Sequence, residues 1–347
     1  MKVAIETSPL KSGHKVRGVG YYVGNLKNAL IKNHEDQVFI FYEKSLNQEA
    51  DLVHYPYFDP FFPTLPLFPR HKFVVTVHDL IPILFPKHFP SGARGNLVWK
   101  FQKRNILRAS RVITDSESSK KDIVKILNIA DSIVDVVYLA ASEHFKKLEI
   151  GDWKLEIERK FHLPPKFALY VGDATWNKNL PNLIRAVKNL DISLVMVGKA
   201  LADPDFYSKN PWNEGLNFIN SQTKDDKRFI RLGFVTDEEL VQLYNIATLL
   251  VMPSLYEGFG LPIVEAMSCG TPVVTTKTSS IPEIAGDAVF YVEPENVSSI
   301  TKGIATVFSD EIWQLRLKNL GLAQSKKFSW KKTAEKTVKV YEKALSV

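Results

Sequence analysis

The sequence predicts an α/β protein of two domains, each a parallel β-sheet with helices on both faces. Three observations lead there. The chain has 347 residues, more than one domain usually holds, so two units of about 150 residues each are expected. Short β-branched runs alternate with longer helix-like segments along nearly the whole length, the pattern of βαβ units. The strand-like runs are almost continuously apolar rather than alternating, as when helices cover both faces of a sheet.

In chain order the first half offers strands at KVAIET (2–7), VFIFYE (38–43), LVHYP (52–56), KFVVTVHD (72–79), RVITDS (111–116) and IVDVVYL (133–139). The second half repeats the theme with FALYVG (167–172), SLVMVG (193–198), FIRLGFV (229–235), TLLVMPS (248–254), PVVTT (272–276) and AVFYVE (288–293). Amphipathic segments lie between them, among them GYYVGNLKNALIKN, SKKDIVKILN, NLPNLIRAVKNL and DEELVQLYNIA. The pair Pro164-Pro165 follows a charged helical stretch, and proline stops helices, so the domain boundary is expected there. This gives an N-terminal domain of residues 1–163 and a C-terminal domain of residues 164–347, both Rossmann-like. The tail SWKKTAEKTVKVYEKALSV reads as one long amphipathic helix.

Bulk composition excludes several classes. A single cysteine, Cys269, rules out an internal disulfide and fits a reducing compartment. The start turns polar after five residues, and no apolar run approaches the 18 or so residues of a membrane span. A soluble, cytoplasmic protein is expected. The net charge of +7 comes without zinc-finger spacing, an RNA-binding aromatic signature or a basic heptad region, so no nucleic-acid partner is expected. The eight histidines show no ligand spacing, and no structural or catalytic metal is expected.

The stretch EGFGLPIVE, Glu257 to Glu265, carries the chemistry. A buried strand precedes it, and PIVEAMSC continues it as a short helix with Pro262 in the first turn and Gly270 past the end. EGFGL is then a strand-to-helix turn at the carboxyl edge of a parallel sheet, where backbone N–H groups and the helix dipole favour an anion. A carboxylate touching a phosphate would repel it, so the two glutamates suit hydroxyl groups on either side of one. A nucleotide sugar has that layout, with a ribose, a diphosphate and a hexose. One such glutamate alone is more simply a loop charge or a favourable acid near a helix N-terminus. Both together, around EGFG after a buried strand, favour the ligand.

EGFGLPIVEAMSCGTPVV resembles the Glu-x7-Glu motif of retaining GT-B glycosyltransferases of family 4. The resemblance continues through RGVGYYVGNLKNAL, VVTVHDLIP, VITDSESSKKDI, YVGDATWNKNLPNLIRA, GFVTDEELVQLYNIA, SSIPEIAGDA and KFSWKKTAEKTVKVY, and is strongest to mannosyltransferase-type members that build polysaccharides or glycolipids. It implies two parallel sheets facing across a cleft, with the terminal helix packing back on the N-terminal domain. It also implies a retaining hexosyltransferase that needs no cofactor and uses a nucleotide diphosphate sugar, GDP-mannose being favoured, with a glycan or lipid-linked glycan as acceptor.

The same resemblance implies that Glu265 accepts from the ribose hydroxyls and Glu257 from those of the transferred sugar. The backbone of Gly258, Phe259, Gly260 and Leu261 would face sugar and diphosphate. Lys178, preceded by Asn177, would pair with the diphosphate, helped by another cation such as Lys199. The chain departs from much of the family in carrying Asp173 after Gly172, where arginine is frequent. His78, at the end of VVTVHD, would lie beside donor sugar and acceptor, although a lone histidine serves as readily as a structural hydrogen-bonding group. GVGYYVG is one residue off the dinucleotide fingerprint and reads as a loop after the first strand, which argues against NAD. Gly18 and Gly20 would bring backbone close to diphosphate or acceptor, or belong to a merely flexible loop.

Other functions share some of these features. A glycoside hydrolase uses two carboxylates but needs neither the anion turn nor Lys178. A GT-B epimerase, or a nucleotide-sugar-binding protein that has lost its transferase activity, fits the same motif. The aromatic, proline-rich run Tyr55 to Phe68 and the basic segment KHFPSGARGNLVWKFQKRN either pack into the first core or dock a lipid-linked acceptor at the inner face of an anionic membrane.

Overall fold

The structure, a computed structural model, describes residues 1–11, 18–43, 45–202, 208–213 and 215–346. Its chain divides into two compact units, Met1–Ala140 with Phe328–Val347, and Ala141–Lys327.

The first unit holds β1 (Lys2–Glu6), β2 (Val38–Tyr42), β3 (Leu52–Tyr55), β4 (Phe73–Thr76), β5 (Arg111–Thr114) and β6 (Val134–Val136). They form one parallel sheet of order β2-β1-β3-β4-β5-β6. Ala4, Val53, Val75 and Val112 pack one core with Ile106, Ile123 and Leu127 from the helices. The second unit holds β7 (Phe167–Val171), β8 (Ser193–Val197), β9 (Phe229–Gly233), β10 (Leu249–Met252), β11 (Val273–Thr276) and β12 (Phe290–Val292). Their sheet is also parallel, in the order β12-β11-β10-β7-β8-β9. Tyr170, Met196, Val251 and Val274 meet Leu183, Ile184, Ile300 and Ile304 there. Such side chains contribute roughly 1.5–3 kcal/mol each on full burial, which is why the strands carry so few polar residues.

Strand order creates the place where a ligand can sit. The chain leaves β7 toward β8 on one side, while β10 pairs on its other side. The connections after β7 and β10 therefore leave these adjacent strands toward opposite edges of the sheet, and the crevice at such a switch point is where open α/β sheets bind ligands. Several helices entering or leaving these sheets are capped by their own sequence. Ser116 accepts from the Ser119 N–H, Thr236 and Glu239 form a capping box, and Ser329 caps the terminal helix.

Three expectations change. The helix after β1 begins at Gly18 and runs to Asn33, so GVGYYVG is its first two turns and not a loop. Tyr22, Val23, Leu26, Ala29 and Leu30 are buried at helical spacing, and that stripe outweighs the poor propensity of the glycines. The segment Ser12–Arg17 before it lies outside the described residues. The division between units falls at Ala140 and not at Pro164, because helix Trp153–Phe161 lies against helix Asp237–Ile246, with Lys160 paired to Glu239. The terminal helix Trp330–Leu345 groups with the first unit rather than the second, which bears out its expected packing on the N-terminal domain. It packs along Gly18–Asn33, buries Ala334, Val338 and Tyr341, and ties Lys343 to Asp135 at 2.7 Å.

The Tyr55–Phe68 run and the helix Gly92–Ile106 are only partly packed into the first core. Phe58 and Leu65 enter the core, whereas Phe62 (64% exposed), Leu67, Phe68 (82%), Leu97 and Phe101 face solvent. Among the described residues no helix is long and apolar enough to cross a membrane.

Candidate active site

β10 ends at Met252, and the chain turns through Pro253–Gly260 into the helix Leu261–Cys269. Gly260 stands at the N-cap with φ of 94°, a left-handed conformation that glycine adopts without steric cost. Pro262 occupies the first turn, and Gly270 closes the helix in the left-handed region with its N–H on Met267. The strand–turn–helix expected around EGFG is present.

Glu257 is buried in that turn. Its carboxylate accepts both oxygens' worth of contact from Lys178 Nζ, at 2.8 and 2.9 Å, and a further bond from Ser254 Oγ at 2.7 Å. The Lys178 side chain is 17% exposed and that of Glu257 7%, so the pair is held largely out of water. Lys178 reaches it from the turn Trp176–Lys178 after β7, across the switch point. Asn177 ties the two loops together. Its Nδ2 donates to the Tyr256 carbonyl at 3.0 Å, and its own carbonyl accepts from the Leu255 N–H at 2.8 Å.

A third loop, after β11, pins the turn from behind. Ser280 Oγ donates to the carbonyls of Glu257 and Phe259 at 2.9 and 3.1 Å, and Ser279 Oγ accepts from the Glu257 N–H at 2.8 Å. Ser279 has φ of 45°, sparsely populated for a residue with a side chain. Strain of this kind, of order 1–3 kcal/mol, persists where surrounding bonds over-determine it, as here.

Glu265 lies one helical turn and more beyond, also buried. Tyr244 Oη donates to it, at 3.0 Å to Oε2, from the helix Asp237–Ile246. Burial pushes its carboxyl up to about 7, against the pull of the Tyr244 hydroxyl and with help from the negative charge of Asp237. The two motif glutamates therefore differ sharply: Glu257 is paired with a cation, and Glu265 sits close to neutrality.

Lys199 is exposed at the start of the short helix Lys199–Ala202, which follows β8, the neighbour of β7. The preceding Gly198 leaves no room for a side chain, since a Cβ there would lie 2.0 Å from the Gly172 carbonyl oxygen. Gly258 and Phe259 form the middle of the turn, with the Phe259 ring buried.

The remaining sequence-derived residues belong to the first unit. His78 follows β4, and its Nδ1 lies 2.7 Å from Asp115 Oδ2. Gly18 is exposed and Gly20 buried in the first turn of their helix. The second unit thus brings together Lys178, Asn177, Glu257, the Gly258–Leu261 turn and Glu265.

Comparison with known proteins places this geometry. The description "Glycosyl transferases group 1" matches residues 153–324, and "Glycosyltransferase Family 4" matches residues 37–142. The O-antigen chain mannosyltransferase B of Escherichia coli is 32% identical over 272 residues, covering 78% of this chain and 70% of that one. The chain belongs to the family 4, group 1 glycosyltransferases. The serotype-specific mannosyltransferase WbdA of Escherichia coli is 30% identical over 281 residues, 79% of this chain, which spans about a third (34%) of WbdA's length. Among solved structures, Anabaena Alr3699/HepE in complex with UDP-glucose superposes with a TM-score of 0.75 at 19% identity, covering 99% of each chain. That likeness shows the GT-B fold, and the family makes the chain an enzyme of the retaining hexosyltransferase class.

Sequence reasoning missed several side chains of this family 4 site. Ser254, Ser279, Ser280 and Tyr244 hold the two glutamates, yet a lone serine or tyrosine has no distinguishing local pattern. Asp115 was missed too, because its place beside His78 is set by strand register. The β4–β5 register pairs Thr76 with Ile113, and two residues further on that pairing puts His78 beside Asp115.

Proposed function

We propose that this glycosyltransferase moves mannose from GDP-mannose to a glycan or lipid-linked glycan, with retention at the anomeric carbon. One observation carries the donor half: a buried Lys178–Glu257 pair at the switch point of the second sheet, with Glu265 beyond the helix N-terminus between them. Mannose is favoured because the relatives with substantial identity are named as mannosyltransferases.

The residues divide the work by charge. An arriving diphosphate draws Lys178 from Glu257, with the N-terminus of helix Leu261–Cys269 adding its dipole and Lys199 a second cation. Glu257, released on one side and still held by Ser254, accepts from hydroxyls of the hexose. Glu265 accepts from the ribose hydroxyls, which favour its ionised form, so nucleotide binding expels a proton. As the glycosidic bond to phosphate breaks, charge grows on the leaving diphosphate, where Lys178 is already placed to stabilise it. With both motif acids occupied on hydroxyls, neither is free as a nucleophile, which supports attack by the acceptor on the face the diphosphate leaves.

The acceptor assignment is supported by the exposed face of the first unit. Segment 60–114 carries nine Lys and Arg against one acid, Asp79. Phe62, Leu67, Phe68, Leu97 and Phe101 stand out of it among exposed Arg94, Lys100, Arg104 and Arg108. Gln102 Nε2, bonded to the Phe62 carbonyl at 2.8 Å, joins loop and helix into one surface. Apolar side chains amid unopposed cations suit an anionic bilayer surface, each cation adding roughly 1 kcal/mol there. Sedimentation with vesicles containing anionic lipid is expected to capture the chain at low salt and release it when Lys100 and Arg104 become alanine. No capture at low salt removes membrane contact from the proposal.

The donor is tested by a thermal-shift panel of GDP, UDP, GDP-mannose and UDP-glucose, followed by mass spectrometry of transfer products. A ligand at 100 times its Kd stabilises by about 2.7 kcal/mol. GDP-mannose is expected to shift the transition most. A response to UDP-glucose alone overturns mannose, and no response to any nucleotide sugar overturns the donor site.

A further inference from the structure

We propose that Asp115 is a positioning residue for His78, its buried carboxylate holding the imidazole in one tautomer and one orientation and pairing its charge. The inference rests on the assignment of His78 as a group that meets the substrate.

The backbone brings the two together. Past the paired Thr76 and Ile113, the Val77 N–H still bonds the Ile113 carbonyl at 2.9 Å, so the β4–β5 ladder continues toward His78 and Asp115. The side chains then meet at 2.7 Å, with 18% of His78 and 4% of Asp115 exposed. A carboxylate only accepts hydrogen bonds, so Nδ1 carries the proton and any second proton sits on Nε2. Asp115 Oδ1 has no hydrogen-bond partner among the described residues. Buried polar atoms of this kind are rare in a finished interior.

The ring is fixed from its other side as well. Tyr22 meets it edge-on at 4.8 Å and 85°, and Tyr22 Oη is held 3.1 Å from Thr76 Oγ1. Thr76 Oγ1 is in turn 2.8 Å from His54 Nε2, whose Nδ1 is 2.7 Å from Tyr341 Oη on the terminal helix. This buried chain leaves the ring little freedom to turn away from Asp115.

The titratable groups facing His78 are Asp115, Asp79, His54 and the Tyr22 hydroxyl. Burial alone would hold the imidazole neutral, but the Asp115 carboxylate, helped by Asp79 and by a hydrogen bond to the Pro56 backbone, raises it above its ordinary value. His54 does not compete for charge, since burial pushes it down to about 3. His78 is thereby a cation to higher pH than a free histidine, and offers a proton where a neutral ring would not.

The test is nitrogen-detected NMR of chain labelled with ¹⁵N-histidine, with His78 assigned from a His78→Gln sample and followed from pH 5 to 9 without donor. In the wild-type chain the neutral ring is expected as the Nδ1–H tautomer, with a titration midpoint above that of a free histidine. In Asp115→Asn the midpoint is expected to fall by about one unit or more, the usual effect of losing an adjacent opposite charge. Turnover at pH 8 should fall about tenfold per unit with it, while nucleotide affinity stays unchanged. A wild-type neutral ring protonated on Nε2 overturns the proposal without any variant, as does an unmoved midpoint in Asp115→Asn. Turnover that keeps its wild-type pH profile despite a shifted His78 overturns it as well. Failure of the wild-type chain to transfer any sugar, with the NMR outcome as stated, removes the transferase assignment and not the Asp115–His78 coupling.

Discussion

Replacing Glu265 with glutamine should stabilise the free protein in alkaline solution while crippling nucleotide binding. Burial raises this carboxyl from 4.5 to about 7 in the folded chain. Between those values the folded state holds a proton that the unfolded state has released. Stability therefore falls as pH rises from about 4.5 through 7, and above 7 the full cost of a buried carboxylate is present. At 1.36 kcal/mol per unit, that cost is about 3 kcal/mol at pH 8 and under about 1 kcal/mol at pH 5.

Glutamine keeps the shape and an acceptor for the Tyr244 hydroxyl but cannot ionise. Glu265→Gln should then raise Tm by several degrees at pH 8, since roughly 2–4 °C follows each kcal/mol in a domain of this size, and change it little at pH 5. Differential scanning calorimetry at the two pH values reads this directly. Isothermal titration with GDP should show affinity reduced about ten- to a hundredfold, because a charge-assisted bond to the ribose is worth roughly 1.5–3 kcal/mol. The heat of binding to the wild-type chain near pH 6 should also depend on the buffer, as the expelled proton requires. A Tm gain equal at both pH values, or a loss at pH 8, would refute the electrostatic reasoning. Unchanged GDP affinity would refute the ribose assignment independently.

Lys178→Ala should cost about 2–4 kcal/mol in urea unfolding, because it leaves the Glu257 carboxylate buried beside Ser254 alone, and should lower kcat about 10²–10³-fold. Adding Glu257→Ala should cost less than the sum of the single changes, by about 1–3 kcal/mol; strict additivity would mean that the pair is not coupled. Gly198→Ala forces a methyl against the Gly172 carbonyl, so it should destabilise by about 3 kcal/mol in the same assay. It should also weaken donor binding through the loop that carries Lys178, and wild-type affinity in that variant would show the loop to be independent of β8.

The twelve strands of the described residues were legible because strands in doubly covered sheets must be apolar throughout, and runs such as FALYV and TLLVM admit little else. The EGFG turn was legible for a local reason too, with Gly260, Pro262 and Gly270 marking both ends of one helix. The domain boundary was not. Pro164-Pro165 breaks the chain locally, but membership of a unit depends on contacts such as Lys160 with Glu239 and Tyr341 with His54, which join residues far apart in sequence. The helix body GYYVGNLKNALIKN was legible from its amphipathic stripe, but its start at Gly18 was obscured by a glycine-rich opening that also reads as a loop. The ligands of the glutamates were hidden because three loops, after β7, β10 and β11, converge on Glu257.

That convergence explains why one motif can contain two acids of unlike behaviour. Glu257 stands where the loops meet, and Lys178 and Ser254 satisfy its charge before any ligand arrives. Glu265 stands buried on the helix behind, where Tyr244 supplies one bond. The first acid is therefore occupied by a cation, and the second is available to hydroxyls as a carboxylate only at the cost of a proton. On the proposed reading, a nucleotide diphosphate would relieve both conditions together, its phosphates competing for Lys178 and its ribose hydroxyls stabilising the Glu265 carboxylate. A free hexose offers neither the charge nor the ribose, so the site as built should discriminate against sugars without a nucleotide. Hydrolysis of simple glycosides, the other chemistry that paired carboxylates suggest, would need one acid free as nucleophile or base, and the Lys178–Glu257 pair denies it that freedom.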